Sequence, residues 1–384
     1  WLNNLTVKAS YGVQGNDNIG TYYAWQGLYD YTWANGSEAG AFASKLENKA
    51  ITWEKNGNLN AGIEASLFGG KVSFSAEYYN RHTRDMLLAN PLAISTGFTS
   101  YDANVGSMRN QGFEFSGRVN IIDRPDFRWD ATVMASLNRN KVTSLTSSQD
   151  FISSGASVIE VGKPIYTFYL SKTAGVDPAT GKQLYYAYWK RGVDETGAIS
   201  NVKCDEYVTD NVSLASLSKY YMGSREPAVS GSLGSSFTIF KNIDFSFLTT
   251  WSIGGKVYDG LYAGTMNVQY AGNNWHKNIL RRWQKPGDVT DVPMVEIGGS
   301  SPANDSALIN ASYFAIKNIT LGYTFPKKWL SKIEVSALRL FVTADNIMMF
   351  NHLDGMDPQY NFTGSVSYSY APSRAVVAGI DIQF

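Results

Sequence analysis

Residues 376–384 read VVAGIDIQF, which puts Val376, Ala378, Ile380, Ile382 and Phe384 on one face of an extended chain and Gly379, Asp381 and Gln383 on the other. A strand that keeps one side apolar up to a terminal aromatic has little to gain in water. It suits a strand that must present hydrocarbon to lipid along its whole crossing length and polar groups to an interior. We therefore read this stretch as the closing strand of a membrane β-barrel, with Gly379, Ile382 and Phe384 as the signal for barrel assembly.

The same two-residue period recurs upstream. Leu5, Val7, Ala9, Tyr11 and Val13 alternate with Asn4, Thr6, Lys8, Ser10 and Gly12. Leu59, Ala61, Ile63, Ala65 and Leu67 run to Gly69-Gly70, whose tolerance of positive φ suits a two-residue turn, and Val72, Phe74, Ala76 and Tyr78 lead away. Phe113, Phe115, Val119 and Ile121 meet Asp123-Arg124-Pro125, from which Phe127, Trp129, Ala131, Val133, Ala135 and Leu137 return. A further hairpin spans 227–240 and 242–257, where Leu248 interrupts the polar face, and another joins 319–325 to 338–344 through Pro326–Lys332. Weaker candidates lie at 163–173 and 182–189, joined by the turn DPATG at 177–181. The expectation is about twelve antiparallel strands.

The joints alternate in length. They are short at 69–70, 123–125, 177–181, 241 and 326–333, and long at 14–55, 89–100, 143–162, 190–226, 258–311 and 347–372. Short periplasmic turns and long extracellular loops are the asymmetry of an outer-membrane barrel, and with this assignment the last strand descends to the periplasm. The runs 71–88, 101–122 and 126–142 exceed the globular strand of about 5 to 6 residues, whereas a tilted membrane strand needs about 9 to 11. A soluble sandwich would not require such lengths. Glu64, Glu77, Glu114, Arg118, Asp130 and Asp381 all fall opposite the apolar set, as expected when a Lys or Arg facing mid-membrane lipid costs about 2 to 4 kcal/mol.

Composition agrees. With 33 Lys plus Arg against 33 Asp plus Glu among 384 residues, the net charge is zero and the electrostatic footprint of a nucleic-acid binder is missing. The 24 Tyr, 10 Trp and 19 Phe, beside a mean hydropathy of −0.22, fit interfacial aromatic girdles around a polar lumen. No apolar run approaches the about 18 to 20 residues of a membrane helix, so any crossing is by strands. Cys204 is the single cysteine and can form no internal disulfide. The chain opens on Trp1-Leu2-Asn3-Asn4 without a signal sequence, which we read as removed or as lying outside this sequence.

Several segments resemble the SusC/RagA-type TonB-dependent outer-membrane transporters, over the carboxyl-terminal part of their barrel. They are ASYGVQGNDNI at 9–19, WEKNGNLNAGIEASLFGGKVSFSAEYYNRHTRDML at 53–87 and NVGSMRNQGFEFSGRV at 104–119. AGVDPATGK at 174–182, RRWQKPGDVTDVP at 281–293, SYFAIKNITLGYTFPKKWL at 312–330 and LFVTADNIMMF at 340–350 complete the set. Their order and spacing together are specific; 195–226 and 351–372 fall outside the resemblance. It implies a barrel of about 22 strands around an amino-terminal plug, with a SusD-like surface lipoprotein, TonB and the barrel-assembly machinery as partners. The cargo it implies is a glycan or a peptide. The chain would then supply one portion, 1–384, of that barrel in the outer membrane of a Gram-negative cell, with plug, TonB-contacting segment and earlier strands before Trp1.

For ligand contact the candidates are Tyr22, Tyr23, Trp25, Tyr29, Tyr31 and Trp33 in the first long loop, with Trp189 and Trp275; Trp283 is treated likewise. Aromatic faces stack on sugars or grip peptides, but they also pack loops or form interfacial belts. His82, with a predicted place at the outer end of a strand, His276 and His352 are the three histidines. No motif joins them to a nucleophile, so we expect no catalysis, although a barrel hydrolase and an adhesin-type barrel are the rival classes. Asp177, Asp288, Asp291 and Asp357 read as turn-closing carboxylates rather than calcium ligands, and Arg281-Arg282 as a loop anchor. No cofactor is expected.

Overall fold

The computed structural model describes residues 1–384 except 21, 146–150, 270–271, 331–333, 354, 360–362 and 368. Ten long strands form one antiparallel sheet in chain order. They are β1 (Leu2–Asn16), β2 (Glu54–Leu67), β3 (Val72–Arg84), β4 (Ser107–Asp123), β5 (Phe127–Ser144), β6 (Val229–Ile239), β7 (Ile243–Ile253), β8 (Tyr313–Thr324), β9 (Ala337–Asn351) and β10 (Ala375–Gln383). Each pairs with its sequence neighbour, leaving β1 and β10 as the two edges of a partial barrel. Among the described residues no helix is long and apolar enough to cross a membrane. In hydrocarbon every backbone N–H and C=O must be paired, and between its two edges this ladder pairs them from strand to strand without help from water.

Register fixes the faces. Val133 lies between Gly117 and Leu233, and Trp129 beside Phe237, so the apolar residues of adjacent strands fall into rows on one side. Val7, Tyr11, Phe113, Leu321, Ile380 and Ile382 on that side are 49–74% exposed. The opposite side carries Lys8, Gly62, Glu77, Glu114 and Ser136 in one continuous row. Leu248 does sit on the polar side, opposite Gly234. So much exposed apolar surface in ordered strands would be an aggregation hazard in water and is the requirement for a wall in lipid.

The connections at one end are 68–71, 124–126, 240–242 and 325–336; at the other they are 17–53, 85–106, 145–228, 254–312 and 352–374. Within the fourth short connection, 331–333 lie outside the described residues. The alternation expected from sequence holds, with three corrections. The first turn is four residues rather than two: Leu67 pairs with Val72, and Phe68, Gly69 and Gly70 all take positive φ. The candidates at 163–173 and 182–189 are not in the wall, so ten strands replace the twelve. The turn 177–181 and the loops 143–162 and 190–226 belong to a single 145–228 excursion carrying two small sheets. One sheet orders 151–154, 157–160, 167–171 and 219–224; the other orders 173–176, 183–193 and 199–209. These strands alternate in hydrophobicity because they bury one face against protein, which local periodicity cannot separate from burial in lipid. The long runs 71–88 and 101–122 also break, at Asp85 and Gly106, both with positive φ, into wall strands and a small hairpin of Leu87–Pro91 with Ser100–Asn104.

Among the described residues the two clusters of buried hydrophobics lie in this outer layer, with Val142 joining from the outer end of β5. One gathers Ala103, Val105, Val142, Ile152 and Ile159. Another gathers Val257, Ala311, Leu353, Met356 and Val366, from the 254–312 and 352–374 connections.

Candidate ligand-binding vestibule

The polar face of the wall is organised near the short-turn end by charge clusters. Asp130 accepts from Arg128 Nε at 2.8 Å, Asn120 Nδ2 at 3.2 Å and Arg118 Nη2 at 3.3 Å. Asp244 on β7 and Arg339 on β9 form a two-point pair, Nη2 to Oδ2 2.6 Å and Nε to Oδ1 3.0 Å, across the intervening β8. Gly322 lies between them, where a Cβ would collide with both side chains. Arg339 also reaches Asp381 on β10, and Lys8 pairs with Glu64. Such pairs keep a hydrated face ordered without placing charge toward lipid.

At the long-loop end the excursion folds back over the polar face and, with it, lines an open cavity of about 590 Å³. Its wall side is Asn110, Asn138 and Asn140, and its roof includes Tyr166, Arg225 and Glu226. The roof is tied to the wall through one carboxylate. Glu226 Oε1 accepts from Asn138 Nδ2 at 2.6 Å and from the Asn140 backbone N–H at 2.8 Å. Asn140 Nδ2 donates to Asn110 Oδ1 at 2.8 Å, and its Oδ1 accepts from the Ile165 N–H at 2.7 Å. Tyr79 donates to Asn138 Oδ1 at 2.7 Å, spanning two strands because Gly112, the residue between them in register, has no side chain beneath the ring. Burial raises the pKa of Glu226, and these hydrogen bonds only partly oppose the rise. Burial lowers that of Arg225, whose Nη2 donates to Pro358 O at 2.6 Å.

The six aromatics of the first long loop stand at the same end and are not packed away: Trp25 is 48% exposed and Tyr22 95%. Trp33 meets Phe42 edge-on at 5.6 Å, and Tyr29 lies on the short strand 28–30. Trp189 is elsewhere, half-buried in the excursion beside Tyr188, with Lys203 Nζ 5.5 Å from its ring. Trp275 is half-buried in the 254–312 connection, and its indole nitrogen is buried without a partner among the described residues. The candidate aromatics therefore do not form one platform. Of the barrel-end residues, Gly379 lies under the Phe341 ring on the polar side, while Ile382 and Phe384 are exposed.

The remaining singled-out residues serve the loops. Asp177 accepts from Ala179 N–H and Thr180 Oγ1, Asp288 from the Gln284 and Lys285 N–H groups, and Asp357 from Gln359 N–H. Arg281 pairs with Asp291 at 3.2 Å. Two segments distant in sequence form one unit: Trp283 Nε1 and Gly287 N both donate to Pro178 O, at 2.9 and 2.8 Å, and Met294 N donates to Gly181 O. Among the described residues no three metal-ligating side chains converge. His82 stands at the outer end of β3 as expected and accepts from Arg84, while His276 accepts from the Asn278 N–H. Sequence reasoning missed Asn110, Asn138, Asn140, Arg225 and Glu226. The only local signal was a charged pair set before Pro227 in the stretch outside the resemblance.

Residues 1–347 match the family model described as TonB dependent receptor-like, beta-barrel. TonB-dependent receptor SusC of Bacteroides thetaiotaomicron is 28% identical over 404 residues, covering 100% of this chain and 38% of that protein. TonB-dependent receptor P39 of Formosa agariphila is 26% identical over 427 residues, covering 100% and 41%. In structure, the chain superposes on the RagAB peptide transporter with a TM-score of 0.84 at 28% identity, covering 100% of this chain and 41% of that one. The chain thus spans about two fifths of the length of the relatives it matches. Ten paired strands, a lipid-facing apolar side and these likenesses place it in the outer membrane, and the chain belongs to the TonB-dependent receptor β-barrel family, of SusC/RagA type.

Proposed function

We propose that this chain is wall and outer vestibule of an importer that carries an oligosaccharide or a peptide across the outer membrane, driven through TonB and working with a SusD-like surface lipoprotein. The observation that carries the reading is the cavity between the polar face of β4–β6 and the folded-back excursion, at the end where cargo would arrive. Tyr22, Tyr23, Trp25, Tyr29, Tyr31 and Trp33 are the proposed outer ligand contacts, with Trp189 and Trp275 secondary. Gly379, Ile382 and Phe384 are the proposed assembly signal. The protein makes and breaks no bond; its work is selection and passage, and no cofactor enters.

The test is uptake of fluorescent glycan and peptide ladders by cells carrying the full-length protein. Uptake that requires the protein and TonB, and that falls about tenfold in Trp25→Ala or Tyr31→Ala, is expected if ring stacking contributes about 1 to 1.5 kcal/mol. Uptake unchanged in a strain lacking the protein contradicts the reading.

A further inference from the structure

The excursion carries a second feature that import alone does not explain. Its strands 167–171 and 219–224 pair antiparallel, and the register runs from Thr167 opposite Ser224 to Ser171 opposite Lys219. The Thr167–Ser224 end abuts the cavity, whose lining includes Tyr166 and Arg225. From there the ribbon runs outward with tyrosines along it. The Tyr169 and Tyr221 rings lie 4.8 Å apart, tilted at 31°, and Tyr188 meets Tyr220 at 5.4 Å. Lysines rest on these rings: Lys163 Nζ is 3.8 Å from the Tyr221 centroid, Lys172 4.2 Å from Tyr186 and 5.4 Å from Tyr220, and Lys219 6.0 Å from Tyr169.

Among the described residues none of these three ammonium groups forms an ion pair with a carboxylate, and neither does Arg225. The guanidinium of Arg225 has one protein acceptor, the Pro358 carbonyl, and its Nε is buried without a partner. Among the described residues no hydrogen bond engages its Nη1, and Arg225 lines the cavity. Of the nearby carboxylates, Glu160 takes the Tyr221 hydroxyl, Glu226 is tied to Asn138 and Asn140, and Asp357, which accepts from Gln359, acts on Arg225 only at longer range. Cations held half-buried against π faces, a carbonyl and, for Arg225, the unpaired charge of Asp357 are only partly compensated, and an incoming anion would satisfy them further.

Resting on the import reading, we propose that the ribbon and cavity form a track for an acidic oligosaccharide. Its carboxylates would be taken by Lys219, Lys163 and finally Arg225, and its hydroxyls by the amides of Asn110, Asn138 and Asn140. The three amides on the wall side and the tyrosine rings of the ribbon offer hydrogen bonds and ring faces together, which suits a chain of hydroxylated rings.

The experiment is calorimetric titration of the full-length protein with oligogalacturonate, its carboxyl-reduced neutral counterpart, and oligo-glutamate. Oligogalacturonate should bind at least about tenfold tighter than the reduced form, as expected for charge-assisted contacts. Its affinity should fall as salt is raised from about 50 to 500 mM, as screening requires. Lys163→Gln with Lys219→Gln should weaken it about five- to tenfold. Arg225→Gln should do the same, and if Arg225→Gln fails to give the compact form on unboiled gels, the lysine pair decides. Equal binding of the reduced oligomer, binding of oligo-glutamate as tight as oligogalacturonate, or no effect of the lysine pair overturns the proposal. Absence of oligogalacturonate binding with TonB-dependent uptake of a neutral sugar or a peptide intact overturns the acidic track alone; loss of any protein-dependent uptake overturns the import reading with it.

Discussion

The wall and the outer layer of this molecule use the same residue types to opposite ends. In the wall, Val133, Leu233 and Ile380 are ordered yet remain 40–63% exposed, and the strands have no core of their own. In the outer layer, Val105, Phe168, Leu170 and Val257 are fully buried and pack as in a soluble protein. The wall is held by its ladder and by lipid, and the outer layer by side-chain packing and by the few polar ties that moor it. Disturbing one should leave the other largely standing.

The largest effect should come from charge on the lipid side. Val133→Arg or Leu233→Arg, in mid-wall, is expected to cost about 2 to 4 kcal/mol and to abolish assembly, seen as loss of heat-modifiable mobility. Thr132→Arg or Ser232→Arg, one residue away on the polar side, should assemble normally. In the outer layer, Ile152→Ala removes a buried side chain and should cost about 2 to 4 kcal/mol locally. Protease sensitivity within 145–228 should then rise while the wall stays folded. Gly112→Val, whose Cβ would press on the Leu137 carbonyl of β5 as well as on Tyr79, should force Tyr79 off Asn138 and cost about 1 to 3 kcal/mol, reported by the same proteolysis. The smallest effect belongs to Glu226→Gln, which retains one oxygen to accept from both Asn138 and Asn140.

Glu226 also gives a signed pH dependence. Its carboxyl titrates above its unfolded value because of burial. The native state therefore holds the proton more tightly, and stability of the excursion falls as pH rises from the unfolded value through the folded one. Protease resistance of the excursion should decline over that window in the parent and lose this dependence in Glu226→Gln.

The wall was legible because each strand repeats a two-residue rule for nine or more residues, and lipid enforces it without regard to neighbours. The turn at Asp123-Arg124-Pro125 and the polar placement of Glu64, Glu77, Glu114 and Asp381 followed from that rule alone. The strands 167–171 and 183–193 obey the same rule locally, but what covers Phe168 and Tyr185 is decided by contacts made far along the chain. Glu226 is likewise 86 residues from Asn140, a distance over which composition carries no signal. The exposed loop aromatics were found by clustering in sequence, whereas the mooring residues carry no such cluster.

The central claim is that one side of these ribbons touches hydrocarbon and the other an aqueous interior. Single nitroxide labels at 131 through 137 of β5, in membranes with oxygen and a nickel chelate as relaxing agents, test it directly. Oxygen should dominate at 131, 133, 135 and 137 and the chelate at 132, 134 and 136. Exclusion of both agents along the odd positions, as between two packed layers, would contradict the account.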